Sequence, residues 1–141
     1  MGLVRVIYVS TADHAVDTSA LQDILEASSR NNESSGLTGM LLYAGGSFMQ
    51  VLEGEEEAVD ATLARVRRDP RHSGVLDLDR SPIDERAFAH WRMGYRRLEA
   101  SDVEAHPGYA PFFEHGFDPA ALGAKRGVAI ELLQEFARGN I

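Results

Sequence analysis

The sequence predicts an α+β fold: a five-stranded mixed sheet with two helices on one face and a helical tail at the C-terminus. Three observations predict it. Short runs rich in Val, Ile, Leu and aromatics alternate with segments of helical apolar spacing, Gly- and Pro-bearing breaks separate them, and the pieces come in the order β-α-β-β-α-β-β.

The first strand is Leu3 to Ser10, rich in Val, Ile and Tyr. A loop from Ala12 to Asp17 follows, and Thr18 or Ser19 caps a helix running to about Arg30. Leu21, Ile24, Leu25 and Ser28 repeat at helical spacing and turn one face inward. Asn31-Asn32-Glu33-Ser34-Ser35-Gly36 breaks that helix. Leu37 to Tyr43 and Ser47 to Leu52 form two strands joined at Ala44-Gly45-Gly46, a turn that glycine's tolerance of positive φ permits. A second helix, about Glu55 to Arg68, opens with Glu55, Glu56 and Glu57 and closes with Arg65, Arg67 and Arg68, which suits the helix dipole; Pro70 stops it. Val75 to Leu78 reads as a fourth strand and Phe88 to Tyr95 as a fifth, with Trp91, Met93 and Tyr95 alternating with Arg92 and Gly94. A split βαβ, ferredoxin-like sheet accommodates this order.

After Arg97 the pattern changes, dividing the chain into a main unit at 1–97 and an extension at 98–141. Ser101 to Gly116 mixes Pro, His and aromatics and has room for a short helix. Pro119 to Gly139 reads as a longer helix with Ala129, Leu132, Leu133 and Phe136 on one side. That stripe suits packing on the exposed back of the sheet, or an interface.

Composition excludes several classes. With 141 residues the chain suits one well-cored domain, and its 44% apolar content is that of a globular protein. A net charge of −8 disfavours nucleic acid or an anionic membrane as the main partner. There is no cysteine, hence no disulfide, thiolate metal site or cysteine nucleophile. The N-terminus enters a strand directly, with no leader and no apolar run of membrane-spanning length, so a cytoplasmic location is expected.

Some residues ask for more than packing. Tyr8 lies in an apolar strand, where a buried phenol needs a hydrogen-bond partner; it also reads as an ordinary core tyrosine. Gln50 shares a strand face with Phe48 and Leu52 by alternation. Its neutral amide both donates and accepts, so it can exchange hydrogen-bond patterns without burying a charge. Asn31 and Asn32 read as helix terminators or as amide ligands. Arg65, Arg67, Arg68 and Arg71 form a solvated helix end, with Arg65 one turn from Asp69. His72 lacks a second ligand at metal-site spacing, so no metal is expected. Trp91 and Met93 alternate onto one face and suit core packing.

Several strings together resemble the BLUF family of flavin-binding blue-light sensors: Tyr8-Val9-Ser10-Thr11-Ala12, Ser29-Arg30-Asn31-Asn32, Gly36-Leu37-Thr38-Gly39-Met40-Leu41-Leu42-Tyr43, Gly46-Ser47-Phe48-Met49-Gln50-Val51-Leu52-Glu53-Gly54, Asp69-Pro70-Arg71-His72 and Arg86-Ala87-Phe88-Ala89-His90-Trp91-Arg92-Met93. The resemblance runs from about residue 3 to residue 97. It implies FAD between the two helices, with FMN or riboflavin as substitutes in the isolated protein. The family's photoactive pair falls on Tyr8 and Gln50, and its semi-conserved signalling pair on Trp91 and Met93. The cofactor-binding set implied is Tyr8, Ile24, Arg30, Asn31, Asn32, Phe48, Gln50, Arg65, Val66, Asp69, Arg71 and His72. It further implies a non-enzymatic photoreceptor in which an electron and a proton leave Tyr8 through Gln50 and return, leaving a changed hydrogen-bond network. With no output domain in the sequence, a separate effector protein and a homo-oligomer are expected. Two other classes compete: a flavin-dependent enzyme, and a chromophore-free ferredoxin-like interaction module.

Overall fold

Strict alternation along the first strand sends Val4, Val6 and Tyr8 to one side of a sheet and Arg5, Ile7 and Val9 to the other. The computed structural model describes residues 2–12, 18–44, 46–70, 72–89 and 94–97, with 104, 130, 131 and 133–135 in the tail. Its elements are β1 (Leu3–Ala12), α1 (Thr18–Ser35), β2 (Thr38–Ala44), β3 (Ser47–Glu55), α2 (Glu56–Arg67), β4 (His72–Ile83) and β5 (Gly94–Arg97). The first four strands form an antiparallel sheet ordered β4-β1-β3-β2, and β5 lies parallel to β2 at its edge. This is the split βαβ arrangement, twice over.

Both helices cover the same face. Val59 and Leu63 of α2 pack on Val4, Val6, Tyr8 and Leu52, while Ile24 and Leu25 of α1 pack on Leu41, Tyr43 and Phe48. On the opposite face Ile7, Met40, Leu42, Met49 and Val51 are all at most 1% exposed, so that face is covered as well. In the tail, residues 130, 131 and 133–135 are helical and Leu133 is fully buried. Ala129, Leu132 and Phe136 lie outside the described residues. Among the described residues no helix is long and apolar enough to cross a membrane.

The first and third strands run to Ala12 and Glu55, two and three residues past the sequence reading, and three other boundaries differ more, each for a physical reason. The first helix does not stop near Arg30; it runs through Asn31 and Asn32 to Ser35. The stop is Gly36, at φ +71°, a left-handed conformation that glycine adopts without strain. The Leu37 N–H then donates to the Asn32 carbonyl at 2.9 Å, the bond of a Schellman ending. The fourth strand extends well beyond Val75–Leu78, because β1 pairs with it from Leu3↔Ile83 to Ala12↔His72. Its ends are polar since it is an outer strand, with a bulge near Gly74 at φ +62° and Pro82 to blunt the edge. Phe88 is not in the fifth strand, whose described part is Gly94–Arg97. Ala87, Phe88 and Ala89 form a turn, and the N–H groups of Ala87 and Phe88 donate to the Glu53 carboxylate instead of to a neighbouring strand.

Candidate functional site: a cleft between two helices

On the helix-covered face, β1, β3 and β2 bring Tyr8, Gln50 and Leu41 into one rung, since Gln50 pairs with Tyr8 on one side and Leu41 on the other. Above that rung α1 and α2 diverge. Tyr8, Ile24, Ser28, Leu41, Phe48 and Gln50 line its inner part, with about 440 Å³ of space open to solvent. An adjoining part of about 500 Å³ is bordered by Asn31, Asn32, Thr62 and Arg65. Ser28, Gln50, Val66 and Asp69 belong to both parts, so they form one cleft.

The floor of the cleft is a polar pair in apolar surroundings. Tyr8 and Gln50 are 3% and 5% exposed, and the Tyr8 hydroxyl donates to the Gln50 Oε1. Burial, and to a lesser degree the negative charge of Asp69, push the phenol's pKa above the ordinary tyrosine value. The phenol therefore keeps its proton, and the carbonyl oxygen of Gln50 receives it as a hydrogen bond.

The mouth is tied across the helices. The Asn31 Nδ2 of α1 donates to the Thr62 Oγ1 of α2 at 3.1 Å, and the Arg65 guanidinium donates to the Asn31 Oδ1. Asn32, one residue on, is 1% exposed and faces the cleft. Asp69 reaches the cleft because α2 closes with a tight turn, in which the Arg68 N–H donates to the Arg65 carbonyl at 3.2 Å and the Asp69 N–H to the Val66 carbonyl at 3.1 Å. α2 has no side-chain cap at Glu55; Glu56 and Glu57 in the first turn and Arg65 and Arg67 in the last complement its dipole.

Of the residues expected at the site, Tyr8, Ile24, Asn31, Asn32, Phe48, Gln50, Arg65, Val66 and Asp69 line this cleft. Arg30 is exposed and is not among the lining residues. Arg71, Trp91 and Met93 lie outside the described residues, as does the side chain of His72, which opens β4. The site also holds Ser28, Leu41 and Thr62, which the sequence reading did not assign to it. Spacing signals existed for two of them: Ser28 follows Ile24 by one helical turn, and Thr62 precedes Val66 by one.

The sequence matches the family described as sensors of blue-light using FAD over residues 3–94. It is 40% identical over 86 residues to the photoactivated adenylate cyclase subunit alpha of Euglena gracilis, a match covering 61% of this chain and 8% of that one. The chain thus spans under a tenth of that relative's length. Among solved structures, BlsA in its photo-activated state superposes with a TM-score of 0.78 at 26% identity, covering 96% of this chain and 94% of the other. The dark state of BlrB, a BLUF protein, gives 0.71 at 30% identity, covering 92% and 97%. The cleft lies within the matched span, and the chain belongs to the BLUF family, the sensors of blue-light using FAD.

Proposed function

We propose that this chain is a blue-light photoreceptor that holds FAD between α1 and α2 and signals through the hydrogen bonds of Tyr8 and Gln50. The observation that carries this reading is the buried Tyr8–Gln50 bond on the floor of an open cleft that also presents Ile24, Leu41, Phe48 and Val66. The lining fits the cofactor's chemistry. Ile24, Leu41, Phe48 and Val66 offer apolar walls for a planar ring, and the amides of Gln50, Asn31 and Asn32 suit its carbonyl and N–H edge. Arg65 at the mouth and Asp69 are placed to meet the polar substituents.

Bound flavin supplies absorption of blue light and, when excited, an electron acceptor. Tyr8 is the donor. Its phenolate is disfavoured by burial, and a phenol that loses an electron becomes a strong acid, so electron and proton leave together. The proton's path is the existing bond to the Gln50 Oε1. Gln50 is uncharged and has a donor and an acceptor end, so after the proton returns it can be left turned, or in its imidic form, at no cost in buried charge. No bond to carbon is made or broken, and the reading is of a sensor rather than an enzyme.

The reading extends to the whole chain. Residues 1–97 act as the sensor, and 98–141 cover the back of the sheet. This is supported by the buried back face, which neither described helix covers, and by fully buried Leu133. A separate effector protein and a second copy of the chain receive the signal. The match with BlsA and BlrB covers nearly all of each chain, whereas the Euglena relative, by name a photoactivated adenylate cyclase subunit, is matched over 8% of its length.

The test is Tyr8→Phe in the flavin-loaded protein. Illumination of the parent shifts the flavin band slightly to the red, reversibly, and the variant shows no shift while keeping its yellow colour. A reversible shift that survives in the variant contradicts the mechanism.

A further inference from the structure

On the far side of β3 from Gln50 lies a second buried polar group that the cleft does not use. Glu53 is 0% exposed. Its Oε2 accepts from the Arg5 Nε at 3.0 Å and Nη2 at 2.9 Å, and from the Ala87 N–H at 2.9 Å; its Oε1 accepts from the Phe88 N–H at 2.8 Å. The neighbouring Arg86 reaches back the other way. Its guanidinium donates to the Gly36 carbonyl at 2.8 Å, and to the Glu53 carbonyl and the Thr38 hydroxyl at 3.0 Å each.

Two elements that wall the cleft therefore end on the same stretch, Arg86-Ala87-Phe88. β3 carries Gln50 and arrives through Glu53. α1 carries Asn31 and Asn32 and arrives through Gly36, whose neighbour Leu37 is bonded to the Asn32 carbonyl. From this stretch the chain continues to β5, which lies beside β2. A buried carboxylate bonded to an arginine and two backbone N–H groups is costly to assemble and rigid once made. Sheet closure alone does not require it, since an apolar residue at position 53 would fill the same face.

We propose that Glu53 is a positioning residue that anchors the Arg86–Phe88 turn and makes it the point where the hydrogen-bond state of the cleft passes to β5. The inference rests on the photoreceptor reading above. Glu53 and Arg86 do not touch the cleft, so they set where β5 sits and how fast the lit state relaxes, not whether Gln50 responds.

The experiment is amide hydrogen exchange on the full flavin-loaded chain, in the dark and under blue light, with absorption followed in parallel. The variants are Glu53→Gln, which sets an amide NH₂ against donor groups, and Arg86→Lys, which keeps the charge but loses the planar fork. In the dark, the Ala87 and Phe88 amides of Glu53→Gln exchange about ten-fold faster, the effect of losing one good hydrogen bond. In light, the exchange change that the parent shows over residues 94–97 is lost, while the red shift keeps its size and its decay rate changes several-fold. Arg86→Lys shows the same light effect, and it decides the matter alone if Glu53→Gln fails to fold. The proposal is overturned if both folded variants respond over 94–97 as the parent does, or if a folded variant loses the red shift itself. A parent with no red shift instead contradicts the photoreceptor reading, and the relay with it; the dark exchange of Ala87 and Phe88 then still reads the anchor.

Discussion

Gln50 and Glu53 lie three residues apart on β3, on opposite faces, and both are polar side chains in an apolar strand. Glu53 is charged and held by an arginine and two backbone N–H groups at fixed distances. Any turn of its carboxylate abandons buried donors, so the group is locked. Gln50 is neutral, accepts from the Tyr8 phenol on its oxygen, and borders open space. Turning its amide exchanges donor for acceptor with no charge left unpaired. One strand thus carries a switchable polar group toward a cavity and a fixed one toward packed side chains. Chemical type and local packing density, not burial alone, decide which polar group is free to report an event.

The sharpest way to break that comparison is to make both sites apolar. Glu53→Leu leaves the Ala87 and Phe88 N–H groups and the mostly buried Arg5 without their acceptor, and is expected to cost about 3 kcal/mol. Gln50→Leu leaves the Tyr8 hydroxyl to find another partner beside an open cleft, and is expected to cost about 1 kcal/mol. Urea unfolding of the two variants against the parent measures both. Equal losses would mean that the two sites are equally rigid and that the contrast is false.

A smaller effect sharpens the same point through pH. Burial first, and then Asp69, raise the Tyr8 pKa in the folded protein. The native state therefore keeps this proton to higher pH than the unfolded chain does. The stability linked to it is complete below about pH 10, the ordinary tyrosine range, and is lost as pH rises beyond that, because only the unfolded chain releases the proton. The stability difference between parent and Tyr8→Phe is expected to be flat from about pH 6 to 9 and to fall above about 10. A slope near neutrality would assign the proton on the floor of the cleft to another group.

Much of the fold was legible because period-2 and period-3.6 patterns write element order directly into the sequence. Boundaries were less so where tertiary partners overrode local preference. Asn31 and Asn32 look like terminators, yet they stay helical because the Asn31 amide is engaged across to Thr62 and Arg65, and Asn32 is buried one turn before the true stop at Gly36. Phe88 looks like a strand residue, yet a distant carboxylate takes its N–H. At the site, family resemblance rather than composition pointed to Tyr8 and Gln50, and alternation placed Gln50 with Phe48 and Leu52 on the correct face. Ser28 was read only as part of an inward helix face and Thr62 not at all, because a small hydroxyl on a helix reads the same whether it faces core or cleft. Glu53 stood inside a quoted string, but its partners lie 34 and 35 residues away along the chain and carry no local signature.

In the proposed mechanism light changes only the hydrogen bonding around a flavin held over Tyr8 and Gln50. The most direct measurement is the absorption spectrum of the purified flavin-loaded protein in darkness, after blue light, and during return to darkness. The account predicts a yellow protein whose flavin band moves slightly to the red without losing intensity and recovers fully in the dark. A band that bleaches or stays unmoved, or a protein that takes up no flavin, would contradict it.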